Sequence, residues 1–148
     1  MLTAPARTIP RPVSPGRDCA HWAARPTPAT VPLVRSRVRA VLEGWQVSLA
    51  VADALVLAVS ELVGNAVRHA ARASDRLGVS VTLVGGWLQL EVTDGDPALP
   101  PPVHAVDAEA EGGRGLLIVT LLLAEVGGEL AVLAHEFGKT ARVRIPVA

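Results

Sequence analysis

The sequence is poor in the residues that would point to several common classes of protein. It contains one cysteine, Cys19, and one lysine, Lys139, among 148 residues. A single thiol excludes an internal disulfide framework and a cysteine-rich metal site, and it suits a reducing compartment. The formal net charge is zero, and no block of Lys and Arg is long enough to attract a nucleic acid. We therefore expect no primary role in binding DNA or RNA.

Long hydrophobic runs are missing as well. Half of the residues are apolar, yet charges and prolines interrupt them before any run reaches the roughly 18 residues of a membrane-spanning helix. The N-terminus also lacks the charged and then apolar pattern of a signal peptide. These absences predict a soluble, cytoplasmic protein without a membrane partner. A Walker P-loop is absent too, because Gly138-Lys139-Thr140 matches only the last residues of that motif.

The chain is long enough for one domain with a hydrophobic core. Residues 1–16 carry four prolines, at positions 5, 10, 12 and 15, and few apolar side chains. Such a composition buries too little surface to offset the entropy of ordering the chain. We predict that residues 1–16 form a flexible tail and that residues 17–148 form the domain.

A long helical pattern runs through the middle of the chain and separates two kinds of side chain. On a helical wheel, one arc is apolar and the opposite arc carries Glu61, Asn65, Arg68 and Arg72. The acid and the carboxamide lie one turn apart, at positions i and i+4. This pairing is unlike the mixed charges of the other surfaces of the chain. We interpret it as a helix that holds a ligand against its polar side.

The remaining periodicities predict the fold class. Residues 77–83 and 88–92 alternate apolar and polar side chains on either side of Gly85-Gly86, which indicates an antiparallel hairpin that ends at Asp94. Further strands are expected at 18–24, 130–134 and 139–147. Helices are expected from a cap at Thr27 or Thr30 to about Gly44, and at 116–123. The prediction is an α+β fold, a two-layer sandwich of a mostly antiparallel sheet covered on one face by three helices. The aperiodic, proline-rich segment 97–113 is long enough to be an active-site lid.

Three motifs follow one another along this pattern: Glu61 with Asn65 on a helix, Asp94-Gly95 after a strand, and Gly113-Arg114-Gly115-Leu116 opening a helix. Their order and spacing resemble the three nucleotide-binding boxes of the GHKL ATPase and kinase superfamily, which has the Bergerat fold of histidine-kinase-like ATPases. The runs 60–70, 94–102, 113–119 and 138–140 look like its anti-sigma-factor serine/threonine kinase branch. The resemblance extends from about Arg17 to the C-terminus. Asp96 and Ala98 depart from the two further glycines of the superfamily's fuller second box.

The resemblance implies a role for each residue on the long helix. Asn65 would bind Mg²⁺ through its side-chain oxygen together with phosphate oxygens, which is an adequate ligand set for this cation. Glu61, one turn earlier, would accept the proton of an attacking hydroxyl or water near the γ-phosphate of ATP.

The other two boxes would bind the remaining parts of the nucleotide. By resemblance, Asp94 accepts a hydrogen bond from the exocyclic amine of adenine, Gly95 leaves room for the base, and Thr140 supports Asp94. The backbone N–H groups of Gly113, Arg114, Gly115 and Leu116 would approach the phosphates at a helix N-terminus, with the Arg114 side chain adding charge.

Other charged positions have ordinary explanations. Arg35 and Arg39 lie one turn apart and are expected to form a solvated basic edge, with docking of an acidic partner as the alternative. A solvent-exposed turn lysine accounts for Lys139 as well as a function does. His69 borders the polar arc and is expected to be a half-buried structural residue.

The resemblance implies an ATP- and Mg²⁺-dependent protein serine/threonine kinase. Such a protein phosphorylates a small antagonist (anti-anti-sigma) protein and otherwise sequesters a sigma factor. Two alternatives remain open from the residues: a non-catalytic, nucleotide-responsive binding module, and an ATP hydrolase of the same fold. The chain lacks the phosphoacceptor-histidine hairpin of a sensor histidine kinase. The resemblance also allows a homodimer, although no self-complementary stripe in the sequence indicates one.

Overall fold

The computed structural model describes residues 2–8, 17–70, 76–96 and 113–147. Along these segments the chain forms six strands and three α-helices, the second of which continues as a π-helical turn over Ala66–Ala70. The elements in chain order are β1 (Leu2–Thr8), β2 (Arg17–Ala24), α1 (Thr30–Gly44), α2 (Leu49–Asn65), β3 (Leu77–Val84), β4 (Trp87–Asp94), α3 (Gly113–Glu125), β5 (Glu129–His135) and β6 (Gly138–Pro146).

The strands form one sheet in the order β1-β2-β3-β4-β6-β5, and every pairing is antiparallel. The predicted α+β architecture is therefore confirmed. The β3–β4 hairpin turns at Gly85 and Gly86, whose φ angles are 58° and 80°. A two-residue turn with both central φ angles positive suits the twist of a hairpin, and glycine adopts it without steric cost.

The hydrophobic core lies between the helices and one face of the sheet. The apolar arc of α2 is buried as its periodicity predicts, with Leu55, Val59 and Val63 fully enclosed. These side chains meet alternate residues of β4 and β6, such as Leu90 and Val143, while α1 and α3 pack on either side of α2. Because successive side chains of a strand point to opposite faces, the polar residues between these apolar ones lie on the outer face of the sheet.

The central helix has a second property that its composition alone does not explain. Residues Leu49–His69 form a helix that is long and apolar enough to cross a membrane, and half of its most apolar window is buried within the fold. The expectation that no segment has the length and composition to span a bilayer was therefore wrong. Packing inside the domain accounts for the same apolar residues, because a helix covered by a sheet and two helices is hydrophobic on most sides.

The predicted flexible tail is partly wrong. Leu2–Thr8 forms the edge strand β1, which pairs with β2 and has an irregular register between Thr3 and Arg7. Strand β3 pairs with one edge of β2 and leaves the backbone groups of the other edge for another strand. A segment without a hydrophobic pattern can therefore still pair with β2 through main-chain hydrogen bonds. Pro5 falls in the irregular stretch, and edge strands and bulges tolerate proline. Residues 9–16 lie outside the described part of the chain.

Substitution of Leu55 by Ala tests the core. Leu55 is 0% exposed and Leu49, on the same helix, is 72% exposed. We expect Leu55→Ala to lower the free energy of unfolding by about 2–5 kcal/mol, because a cavity replaces buried methyl groups. The control Leu49→Ala should change it by less than about 0.5 kcal/mol. Urea unfolding followed by circular dichroism measures both, and equal losses would contradict this packing of α2.

Candidate functional site

The polar side of α2 lies against the beginning of α3. A Cβ atom built on Gly115 would overlap the carboxylate of Glu61, so the end of this side chain occupies the space that glycine leaves open at the start of α3. Glu61 is half-buried, and the first turn of α3, where its carboxylate lies, carries partial positive charge on backbone N–H groups. The structure thus brings together Glu61 and Gly115, which are 54 positions apart in the sequence.

Asn65 is the last residue of α2 and lies one turn beyond Glu61 on the same side. Its Oδ1 atom accepts a hydrogen bond from Nη2 of Arg68, which follows on the π-helical turn. A π-helical turn changes the direction of side chains, and such turns are frequent at functional sites. Asn65 therefore presents a hard oxygen donor next to a carboxylate and a guanidinium, a set that suits Mg²⁺ and phosphate oxygens.

Arg68 is the site residue that the sequence interpretation left without a role. The sequence did contain a signal for its role, because Arg68 lies on the same polar arc as Glu61 and Asn65.

His69 is exposed, so the expectation that it would be half-buried was wrong. In the described residues, no group of three or more His, Cys, Asp or Glu side chains could hold a metal ion. A cation in this region would therefore depend on Asn65 and on oxygens of the ligand itself.

Asp94 ends β4 on the helix side of the sheet and is only 6% exposed. Its Oδ1 atom accepts two hydrogen bonds, one from the backbone N–H of Asp96 at 2.8 Å and one from Nζ of Lys139 at 3.1 Å. A buried carboxylate is costly unless such partners satisfy it. We call Asp94, Gly95 and Lys139 the base end of the site.

The expected support of Asp94 by Thr140 is wrong. The hydroxyl of Thr140 lies 2.9 Å from Oγ1 of Thr93 and 3.2 Å from Nε2 of His135, on the outer face of the sheet. The register pairs Asp94 with Lys139 and Thr93 with Thr140. Because side chains alternate across a strand, a difference of one residue places Thr140 on the face opposite Asp94. Lys139 occupies the position that was expected for Thr140.

The third motif begins α3 as predicted. Gly113 is the first residue of this helix, and Leu116 is buried in the core, where it anchors the first turn. The backbone of Arg114 lies in that turn, and its side chain belongs to the part that the structure does not describe. The predicted lid, residues 97–113, lies outside the described residues except for Gly113, which belongs to α3, so its role stays a prediction.

The basic pair on α1 contacts α2. Nε of Arg35 donates to Oγ of Ser60 at 2.8 Å, and Arg39 lies 3.4 Å from the carboxylate of Asp53. Both arginines therefore have partners within the domain, and docking of an acidic partner at this edge stays a prediction.

A cavity of about 440 Å³ opens on the outer face of the sheet, with Gly78, Ser80, Thr93 and His135 among its lining residues. Asp94 and Gly95 of the base end also line it, whereas neither Glu61 nor Asn65 does. The cavity therefore meets the site at its base end and does not extend to the polar side of α2.

Most of the chain matches a protein-family model. Residues 24–144 match the model of the histidine kinase-like ATPase domain. Among curated proteins, the chain is similar to the sensor histidine kinase PdtaS from two strains of Mycobacterium tuberculosis, with 35% identity over 101 residues. The matched region is 65% of this chain and 20% of those proteins, so the chain spans about one fifth of the length of these relatives.

Two bacterial structures illustrate the fold that this chain shares with solved proteins. The histidine kinase domain of the blue-light activated histidine kinase of Erythrobacter litoralis EL346 aligns over 80% of this chain and 60% of its own, with 24% identity and a TM-score of 0.55. The RsbU and RsbW domains of Rv1364c from Mycobacterium tuberculosis align over 87% of this chain and 33% of theirs, with 22% identity and a TM-score of 0.62. At these identities, both likenesses concern the fold.

Substitution of Gly138 by Ala tests the base end. Gly138 has a φ of 145°, and a Cβ atom there would overlap the backbone carbonyl of Asp94. Because backbone cannot move aside as a side chain can, we expect Gly138→Ala to cost about 2 kcal/mol or more in the free energy of unfolding. Gly78→Ala is the matched control in β3, since its Cβ would lie 3.7 Å from His21. Thermal unfolding that gives equal losses for both variants would contradict the close approach of β6 to Asp94.

Proposed function

The chain belongs to the histidine kinase-like ATPase domain family, and from this premise we propose that it is an ATP- and Mg²⁺-dependent protein serine/threonine kinase. Its substrate is a small antagonist protein, and in its other state it sequesters a sigma factor. The observation that carries the proposal is the contact of the Glu61 carboxylate with the first turn of α3, one helical turn from Asn65. This contact places an acid, an oxygen ligand and a helix N-terminus together.

Each residue of the site has a part in this reaction. The N–H groups of Gly113, Arg114, Gly115 and Leu116 bind phosphate oxygens at the N-terminus of α3, and Arg68 adds a guanidinium on the side of Asn65. Asp94 accepts the hydrogen bond of the adenine amine, and Gly95 leaves room for the ring. Mg²⁺, held through Asn65 and phosphate oxygens, offsets negative charge on the phosphates when it is bound.

Glu61 takes the proton in the transfer step. The hydroxyl oxygen of the substrate serine or threonine forms a bond to the γ-phosphorus while the bond from that phosphorus to the bridging oxygen of ADP breaks. The hydroxyl proton passes to the carboxylate of Glu61. The added phosphate carries about two negative charges and weakens the complex with the antagonist, which releases the kinase for its other partner.

The choice of serine or threonine and of a sigma factor as partner rests on the order and spacing of the sequence motifs. The fold shared with the RsbU and RsbW domains of Rv1364c agrees with it. The PdtaS relatives are described as sensor histidine kinases, and this chain covers about one fifth of them. A cytoplasmic location and a homodimer complete the proposal.

Calorimetric titration with a non-hydrolysable ATP analogue tests nucleotide binding. We expect Mg²⁺-dependent binding by the wild-type protein. Asp94→Asn should weaken it because the amide replaces one acceptor oxygen with a donor. Asn65→Ala should remove the dependence on Mg²⁺. Binding that stays Mg²⁺-dependent in Asn65→Ala would overturn the metal assignment, and no binding by the wild type would favour a partner-binding module without nucleotide.

Two substitutions around Glu61 test the transfer. We expect Glu61→Gln to lower phosphate transfer by about 100-fold or more while nucleotide affinity is kept, because the base is lost and its shape retained. Gly115→Ala should have a similar effect, since the new methyl group displaces the flexible end of Glu61 and leaves stability within about 1 kcal/mol. Gly44→Ala, at the end of α1 with no atom near its Cβ, is the control.

Labelling with γ-³²P ATP over arrayed serine, threonine and histidine peptides identifies the acceptor. Label on serine or threonine supports the proposal. Release of phosphate to water alone identifies the hydrolase, whose attacking water Glu61 could equally orient. Label on histidine would overturn the serine/threonine assignment.

A further inference from the structure

Lys139 is the only lysine in the chain, and it does not lie on an exposed turn. Its side chain is 16% exposed, and its Nζ atom contacts two groups of the β4 end: Oδ1 of Asp94 at 3.1 Å and the backbone carbonyl of Asp96 at 3.0 Å. One ammonium group thus links the carboxylate to the turn that follows it. Long side chains lose conformational freedom when they are held this way, so a doubly held lysine differs from an ordinary surface cation.

The start of β6 gives Lys139 this position. Gly138 allows the backbone of β6 to pass directly beside the carbonyl of Asp94, which any side chain at 138 would obstruct. The register then places Lys139 opposite Asp94, with both residues on the helix side of the sheet. The ammonium group reaches Asp94 from the adjacent strand, and the backbone of Asp96 reaches the same carboxylate from the turn.

Both hydrogen bonds to Asp94 from these groups end on the same oxygen. The N–H of Asp96 and the ammonium of Lys139 both donate to Oδ1. Neither of these two donors uses Oδ2, the second oxygen of the same carboxylate. A carboxylate held by two donors on one oxygen cannot rotate freely, so the direction of its other oxygen is fixed as well.

We propose that Lys139 is a positioning residue for base recognition, which holds Asp94 so that Oδ2 accepts the exocyclic amine of adenine. The inference rests on the proposed nucleotide function and adds a determinant of base specificity to it. A base with a 6-oxo group, such as hypoxanthine, presents an acceptor oxygen to Oδ2 of Asp94. Neither oxygen then receives a hydrogen bond, and this loss weakens binding. Preference for adenine therefore depends on how rigidly Asp94 is held, and Lys139 provides that rigidity.

The test compares ADP with inosine diphosphate by calorimetry. The two nucleotides share phosphates and sugar and differ at position 6 of the base, so the ratio of their affinities reports recognition of the amine. We expect Lys139→Met to weaken ADP binding about tenfold and to change inosine diphosphate binding by less than about twofold. Lys139→Arg should restore most of the ADP affinity, because it keeps a cationic donor of similar length.

A double-mutant cycle with Asp94→Asn separates positioning from a general effect of charge. If Lys139 acts through Asp94, Lys139→Met should cost ADP affinity less than about twofold in the Asp94→Asn background. The matched control is Arg142→Met, which removes a cation of the same strand that pairs with Glu91 on the outer face. It should leave the ratio of the two affinities unchanged.

The outcomes distinguish this inference from the proposed function. Equal weakening of ADP and inosine diphosphate in Lys139→Met would mean that Lys139 attracts phosphates, and it would overturn the inference alone. Unchanged affinities with a lowered unfolding temperature would mean a purely structural ion pair and would overturn it too. Absence of binding of either nucleotide by the wild type would overturn the proposed function and, with it, this inference.

A spectroscopic measurement follows the contact itself. Because the chain has one lysine, biosynthetic labelling with ¹³C,¹⁵N-lysine places one labelled side chain, at Lys139, and leaves its N–H donors unchanged. We expect the Lys139 signal to shift in Asp94→Asn without nucleotide, and to shift in the wild type on addition of ADP. A signal that matches free lysine and ignores Asp94→Asn would overturn the ion pair.

Discussion

Burial of α2 orients the functional residues that this helix carries. This helix is apolar over most of its circumference, and it lies between the sheet, α1 and α3 with Leu55, Val59 and Val63 fully enclosed. Only a narrow polar side remains. Because the apolar side has one way to pack against the sheet, the direction of Glu61 and Asn65 is determined by the core rather than by any contact of their own. The site thus inherits its orientation from hydrophobic packing.

Two glycines then bring the remaining parts of the site into reach. At Gly115 the absent side chain lets the beginning of α3 meet the Glu61 carboxylate, and at Gly138 it lets β6 pass the carbonyl of Asp94. The two positions differ in what a methyl group would displace. At Gly115 it would displace the end of a flexible side chain, whereas at Gly138 it would displace backbone. Substitution at Gly115 therefore affects the position of a functional group, and substitution at Gly138 affects the fold.

The base end shows how alternation along a strand decides chemistry. Thr140 carries the hydroxyl that the family resemblance assigns to the support of Asp94, yet it faces the outer side of the sheet and bonds to Thr93. Lys139, one residue earlier, faces Asp94 and supplies a charge instead. An ammonium group holds a carboxylate more strongly than a hydroxyl does, since the hydrogen bond is charge-assisted at both ends. The order of two neighbouring residues thus changes the way in which the acid is held.

Local patterns along the chain were enough to predict the fold class, the family and the positions of the three motifs. Alternation in 77–83 and 88–92 and the helical period of the central segment depend on local periodicity, which is visible in a single chain. Three other points depend on tertiary structure: the strand at Leu2–Thr8, the contact of Glu61 with Gly115, and the presence of Lys139 rather than Thr140 beside Asp94. Each depends on pairing between distant segments. A strand without its own hydrophobic pattern is stabilised by the open edge of its neighbour, and the face of a residue on a strand is defined only when the register with the next strand is known.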